Sequence, residues 1–78
     1  MLKEKDLVVD HYYVGKKPRI VHGVLTKRCI MKLDYDEGYV VYVELKAVKT
    51  GIKGTLKTVS ILSFLRWAGK DVTPKGEK

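Results

Sequence analysis

Tyr39-Val40-Val41-Tyr42-Val43-Glu44-Leu45 is the stretch on which the fold turns. β-Branched and aromatic residues fill it, and these suit a pleated surface better than a helix. Alternation sorts it into two faces, Tyr39/Val41/Val43/Leu45 and Val40/Tyr42/Glu44. Just before it, Asp34-Tyr35-Asp36-Glu37-Gly38 is an acidic turn with Gly at the positive-φ site of a hairpin. Before that turn, Lys27 to Leu33 alternates as well, with Cys29, Met31 and Leu33 on one face and Ile30 and Lys32 on the other. Two antiparallel strands are therefore predicted around Asp34–Gly38.

Working outward, Lys46 to Gly54 holds Gly51 and Gly54 and reads as a second hairpin connection, with Thr55 to Val59 as the returning strand. On the other side, Leu7 to Val14 and Arg19 to Leu25 carry strand signals, split by Gly15-Lys16-Lys17-Pro18. Gly23 marks a bulge or bend. The period changes at Ser60. Ile61, Phe64, Leu65 and Ala68 fall at i, i+3, i+4 and i+7, one helical face. Ser60 suits the N-cap and Gly69 the C′ position. Asp71 to Thr73 offers a last short strand. The chain is thus expected to be mainly β, a small antiparallel sheet or barrel of four to five strands with one short C-terminal helix.

At 78 residues this is one domain, with its core over about residues 6–72 and flexible ends at 1–5 and 74–78. A single cysteine excludes an internal disulfide framework. The charged start, Met1-Leu2-Lys3-Glu4-Lys5-Asp6, does not read as a signal peptide, and no apolar run approaches a membrane span. A cytoplasmic protein without membrane partners is expected. The strand order with its single late helical turn, over about Asp6 to Val72, resembles the SH3-like barrels. That resemblance implies nucleic-acid or peptide binding without choosing between them. Tiny basic chains of this kind also look like products of phages or mobile elements.

Charge is segregated. The net charge is +7, and neither His11–Leu33 nor Leu45–Lys70 contains an acidic residue. Such a field attracts polyanions. Lys16, Lys17 and Arg19 form a basic tip, Lys27 and Arg28 come next, and Lys46 to Lys57 is a basic arm in which Lys49, Lys53 and Lys57 are assigned to binding. If both project from one end or face of the sheet, they form a groove for a phosphate backbone. Adjacent Tyr12 and Tyr13 face opposite ways in a strand, and so do Tyr39 and Tyr42. Tyr13 and Tyr42 are assigned to the binding surface, where bases stack beside lysines. The alternative is that these rings cap a small core. Phe64 and Trp67, on the only helix, are read as core.

Catalysis is not expected. Two histidines, His11 and His22, and one thiol, Cys29, are a poor ligand set. Cys29 reads as a small buried side chain, Ser60 and Ser63 as capping groups, and Asp34, Asp36 and Glu37 as a solvated turn. No cofactor is implied. No recognition helix, zinc finger or RRM aromatic motif is present, so sequence-specific reading is not indicated. The expectation is a non-catalytic module binding DNA or RNA through its backbone. The alternative is an SH3-like protein-interaction module for an acidic or peptide partner. The unpaired edge of a small sheet also allows a homodimer.

Overall fold

The predicted hairpin around Asp34–Gly38 is the spine of the computed structural model, which describes residues 2–74. Strand β4 (Lys27–Asp34) runs into β5 (Tyr39–Val48), and β5 into β6 (Gly51–Ser60). Strand β1 (Tyr12–Gly15) pairs with β4, and the last strand, β7 (Ala68–Asp71), pairs with β1. The order β6-β5-β4-β1-β7 is antiparallel throughout. A separate ribbon, β2 (Ile20–Val21) and β3 (Val24–Leu25), stands beside β5.

The sheet is open, and the barrel-like closure is not adopted. Strands β6 and β7 remain its two edges. Helix α1 (Ile61–Trp67) connects them and packs against β5, β6 and β7, so it fills the space that closure would need. Its start is capped as predicted, the Ser63 N–H donating to Ser60 Oγ at 3.1 Å. Its end is not. Ala68 is extended (φ −67, ψ 129), and the chain enters β7 directly. Gly69 is therefore no left-handed C′ residue; it is a strand residue seated tightly against the backbone of Gly15 and Lys16.

Three further expectations are corrected. The alternation in β4 breaks at Met31. Ile30 pairs with Tyr42 but Lys32 pairs with Val41, which leaves Met31 as a bulge, 48% exposed. The extra residue resets the period, so Ile30 and Leu33 both reach the core. The stretch Arg19 to Leu25 is a hairpin of its own, because His22 (φ 51) and Gly23 (φ 76) form a two-residue turn. The second long connection is only Lys49-Thr50, since β5 and β6 pair from Tyr39↔Ser60 out to Val48↔Gly51.

The core is Leu7, Tyr13, Ile30, Val40, Tyr42, Ile61, Phe64 and Ala68. Phe64 is at its centre, with its ring edge-on to Tyr13 (5.7 Å), Tyr42 (5.6 Å) and Trp67 (5.4 Å). The lead that reads as frayed forms a 3-10 turn, Glu4–Asp6, with Leu2 packed on the core and Leu7 inside it. Met1 and residues 75–78 of the ends read as flexible lie outside the described residues.

Tyr13 fastens the lead. Its hydroxyl donates to the Asp6 carbonyl at 2.8 Å and accepts from the Val8 N–H at 2.9 Å. Tyr13→Phe is expected to destabilise by about 1–2 kcal/mol, because both backbone groups lose their partner. Denaturant melts check this. Burial pushes the phenol above its ordinary value, and the Val8 hydrogen bond only partly opposes it. Folding stability should then fall as pH rises past about 10, where the unfolded state ionises first. Tyr13→Phe should flatten that alkaline limb.

Candidate functional site

Paired residues in a sheet share a face. On β5, Val40, Tyr42, Glu44 and Lys46 alternate onto the face that carries α1. Their partners on β6 are Val59, Lys57, Thr55 and Lys53. On β4, Ile30 lies opposite Tyr42 and Arg28 opposite Glu44. A seven-residue helix is about 10 Å long, whereas a ten-residue strand runs about 33 Å. The helix therefore covers only the Val40–Tyr42 end. The uncovered remainder of the same face is Glu44, Lys46, Lys53, Thr55 and Lys57, with Arg28 at its border against Trp67, the last helical residue.

Two adjoining hollows lie there and share Glu44. The first, about 290 Å³, is bounded by Gly15, Lys17, Arg19, Thr26, Arg28, Glu44 and Trp67. The second, about 280 Å³, is bounded by Glu44, Lys46, Val48, Lys53, Thr55 and Lys57. Together they make a trough with six cations and one carboxylate on its walls. Glu44 Oε1 is 3.3 Å from Lys57 Nζ, a partly exposed pair that solvent screens and that adds little to stability. The Arg28 guanidinium sits over the rings of Trp67 (3.9 Å) and Tyr42 (4.5 Å). Stacking of this kind holds a planar cation in one orientation.

The basic tip and the basic arm do meet, since Lys17 and Arg19 join Lys53 and Lys57 around Glu44. Arg28 is on the floor between them. Lys16 is exposed beside the trough, in a shallow hollow with Lys17, Arg66 and Trp67. Lys49 stands at the β5–β6 turn beyond the second hollow. Lys27 pairs with Leu45 and so belongs to the opposite face. Tyr13 (0% exposed) and Tyr42 (2%) are core residues, not stacking platforms; the helix covers the face they occupy. Lys46, which begins the basic arm in the sequence but is not among the residues assigned there to binding, continues the Val40/Tyr42/Glu44 alternation onto this face; Trp67 and Thr26 escape sequence reasoning. Trp67 packs on the core yet stays partly exposed and walls the first hollow. Thr26 carries no local signal.

The acidic turn is at the far end. Asp34 accepts from Glu37 N–H (2.9 Å) through its side chain and from Gly38 N–H (2.8 Å) through its carbonyl. That turn opens β5 and the Lys49-Thr50 turn closes it, so the charge segregation of the sequence becomes a separation along about 33 Å of strand. Elsewhere, burial pushes the Cys29 thiol up, away from the thiolate form, and His11 Nδ1 sits 2.6 Å from Asp71 Oδ2. Among the described residues, no three His, Cys, Asp or Glu side chains gather as a metal site would. No helix there is long and apolar enough to cross a membrane.

No protein-family model, curated protein or solved structure matches the chain.

Proposed function

We propose that the chain is a non-catalytic nucleic-acid-binding module of the cytoplasm with little sequence specificity, and that the trough is its contact surface. One observation carries this reading: Lys17, Arg19 and Arg28 border one hollow and Lys46, Lys53 and Lys57 another, and the two hollows share a single carboxylate, Glu44. Cations arranged along a groove neutralise successive phosphates and release counterions. With Tyr13 and Tyr42 in the core, stacking contributes little, so binding is led by the backbone of the strand.

Five or six phosphate contacts should give a log–log salt slope of about −3.5 to −5 in a fluorescence-anisotropy titration. A slope near zero would sink the reading. Lys53→Glu with Lys57→Glu should weaken binding about 10- to 100-fold and leave the melting curve close to the parent's, since both side chains are exposed. Asp36→Asn with Glu37→Gln, at the other end of the sheet, should leave affinity unchanged or slightly raised.

A second reading rests on β6. It is an edge strand of ten residues with Ile52 (57%) and Leu56 (67%) exposed on the face away from the trough. Such an edge accepts a peptide strand or a second copy of the chain. Sedimentation that showed a dimer, together with absence of oligonucleotide binding at low salt, would favour it.

A further inference from the structure

Strand β6 is an edge with few of the usual guards. It runs ten residues, and its pairing with β5 passes from Tyr39↔Ser60 to Val48↔Gly51 without a register shift. It holds no proline. Among the described residues no other strand pairs with its outer side, and residues 51–58 are all exposed. The opposite edge, β7, has four residues and a register shift where it meets β1. Natural edges are blunted by shortness, bulges, proline or charge. Strand β6 has charge alone, and that charge is of one sign. Alternation gives it two unlike faces. Lys53, Thr55 and Lys57 are on the trough side, and Ile52, Gly54, Leu56 and Thr58 are on the other. On the trough side Lys53 lies directly opposite Lys46, and like charges so placed repel. Among the described residues no carboxylate pairs with either of them, while Glu44 is already met by Lys57. On the other side Leu56 lies opposite Val43 and Ile52 opposite Ala47, so two exposed apolar side chains carry an apolar row of β5 out to the edge.

We infer that β6 takes up an extended acidic segment of another protein as an added strand of the sheet, a segment in which carboxylates alternate with apolar side chains. Its carboxylates lie beside Lys53 and Lys57 and relieve the Lys46–Lys53 repulsion, and its apolar side chains lie beside Ile52 and Leu56. The main chain supplies the attachment and the alternate side chains supply the choice. A second copy of the chain is the poorer occupant. In an antiparallel β6–β6 pair, Lys53 and Lys57 of both copies share one face, between chains that each carry a net charge of +7. Nucleic acid answers the lysines but leaves Ile52, Leu56 and the outer main chain unused. The inference narrows the second reading of β6 and is independent of the nucleic-acid reading of the trough, although both surfaces include Lys53 and Lys57.

The full chain, ¹⁵N-labelled, is titrated with a synthetic peptide of the length of β6 in which Glu alternates with Val. Every second β6 amide, the set on the outer side, should gain about 10-fold or more protection from hydrogen exchange. Methylating the backbone nitrogens of one alternate set of the peptide should abolish binding, and methylating the other set should leave it within about 3-fold, because only one set faces β6. A Lys-Val peptide and a Glu-Ser peptide should each bind about 10-fold or more weakly, the first for charge and the second for its missing apolar row. Ile52→Thr with Leu56→Thr keeps the strand preference at exposed sites, so it should fold like the parent. It should bind the Glu-Val peptide about 5- to 10-fold more weakly and leave oligonucleotide affinity and salt slope unchanged. Peptide binding that tolerates methylation of both sets reduces β6 to a cationic surface and overturns the added strand. Alternate-amide protection that rises with protein concentration without peptide marks a second copy and overturns it as well. Oligonucleotide binding without peptide binding overturns the added strand and leaves the trough reading standing; peptide binding without oligonucleotide binding does the reverse.

Discussion

Phe64→Ala is expected to remove about 3–5 kcal/mol of folding stability. A chain of this length has about 4–12 kcal/mol in total, so the loss is a large share of its stability and the denaturant midpoint should fall steeply. The effect is large because Phe64 is fully buried and its ring meets Tyr13, Tyr42 and Trp67 at once. A seven-residue helix cannot hold itself in water and depends on such an anchor. Phe64→Leu, which keeps most of the volume, should cost about 1–2 kcal/mol. Denaturant melts of both variants measure this, and a parent-like Phe64→Ala would remove the ring from the core. The binding surface should suffer too. Arg28 rests on Trp67, and Trp67 rests on Phe64, so a surviving folded fraction of Phe64→Ala should show a displaced Arg28 side chain.

The second large effect is expected at Gly69. A Cβ there would lie 2.8 Å from the Gly15 carbonyl oxygen and 2.9 Å from Lys16 Cα. Both obstacles are backbone of β1 and its exit loop, which cannot turn aside as a side chain can. To make room, β7 must release part of its pairing with β1, Gly15↔Ala68 and Val14↔Lys70. Gly69→Val should therefore destabilise by about 2–4 kcal/mol, at or beyond the upper range for overpacking. Gly54→Ala is the control. Its added Cβ meets Val43 Cγ1 at 3.0 Å, a side-chain atom on a half-buried neighbour and not backbone, and Gly54 sits on the exposed edge strand. Its effect should stay within about 1 kcal/mol. Equal melts for Gly69→Val and the parent would show that β7 is loosely attached.

Phe64 is legible as core from its place on the apolar face of the one predicted helix, but the effect at Gly69 is not visible in the sequence at that position. Gly69 reads as a helix stop, because a glycine after an amphipathic run usually is one. Its actual use is to let two strands approach, and that depends on Gly15, far away in the chain. Tyr13 and Tyr42 are misplaced by sequence reasoning for a similar reason. Alternation says that neighbours face opposite ways but not which way is inward. On β5 the face with Val41, Val43 and Leu45 looks the more apolar, yet α1 covers Val40 and Tyr42. The side to which the chain turns after Ser60 decides this, and no residue within β5 records it. The bulge at Met31 reverses the reading of β4 by the same kind of one-residue change.

What the sequence determined alone is what acts over a few residues. The β periodicity of β5, the Asp34–Gly38 turn, the Ser60 cap and helical spacing, and the parting of acidic from basic segments are local, and the structure keeps each in place. Tertiary structure alone decided that the sheet stays open, that the short helix covers half of one face, and that the uncovered half is basic. It brought Arg28 onto Trp67 and set Lys17 and Arg19 beside Lys46, Lys53 and Lys57. These are long-range contacts, chosen by which surfaces the whole chain can bury together, and a pattern with a period of two or 3.6 residues carries no information about them.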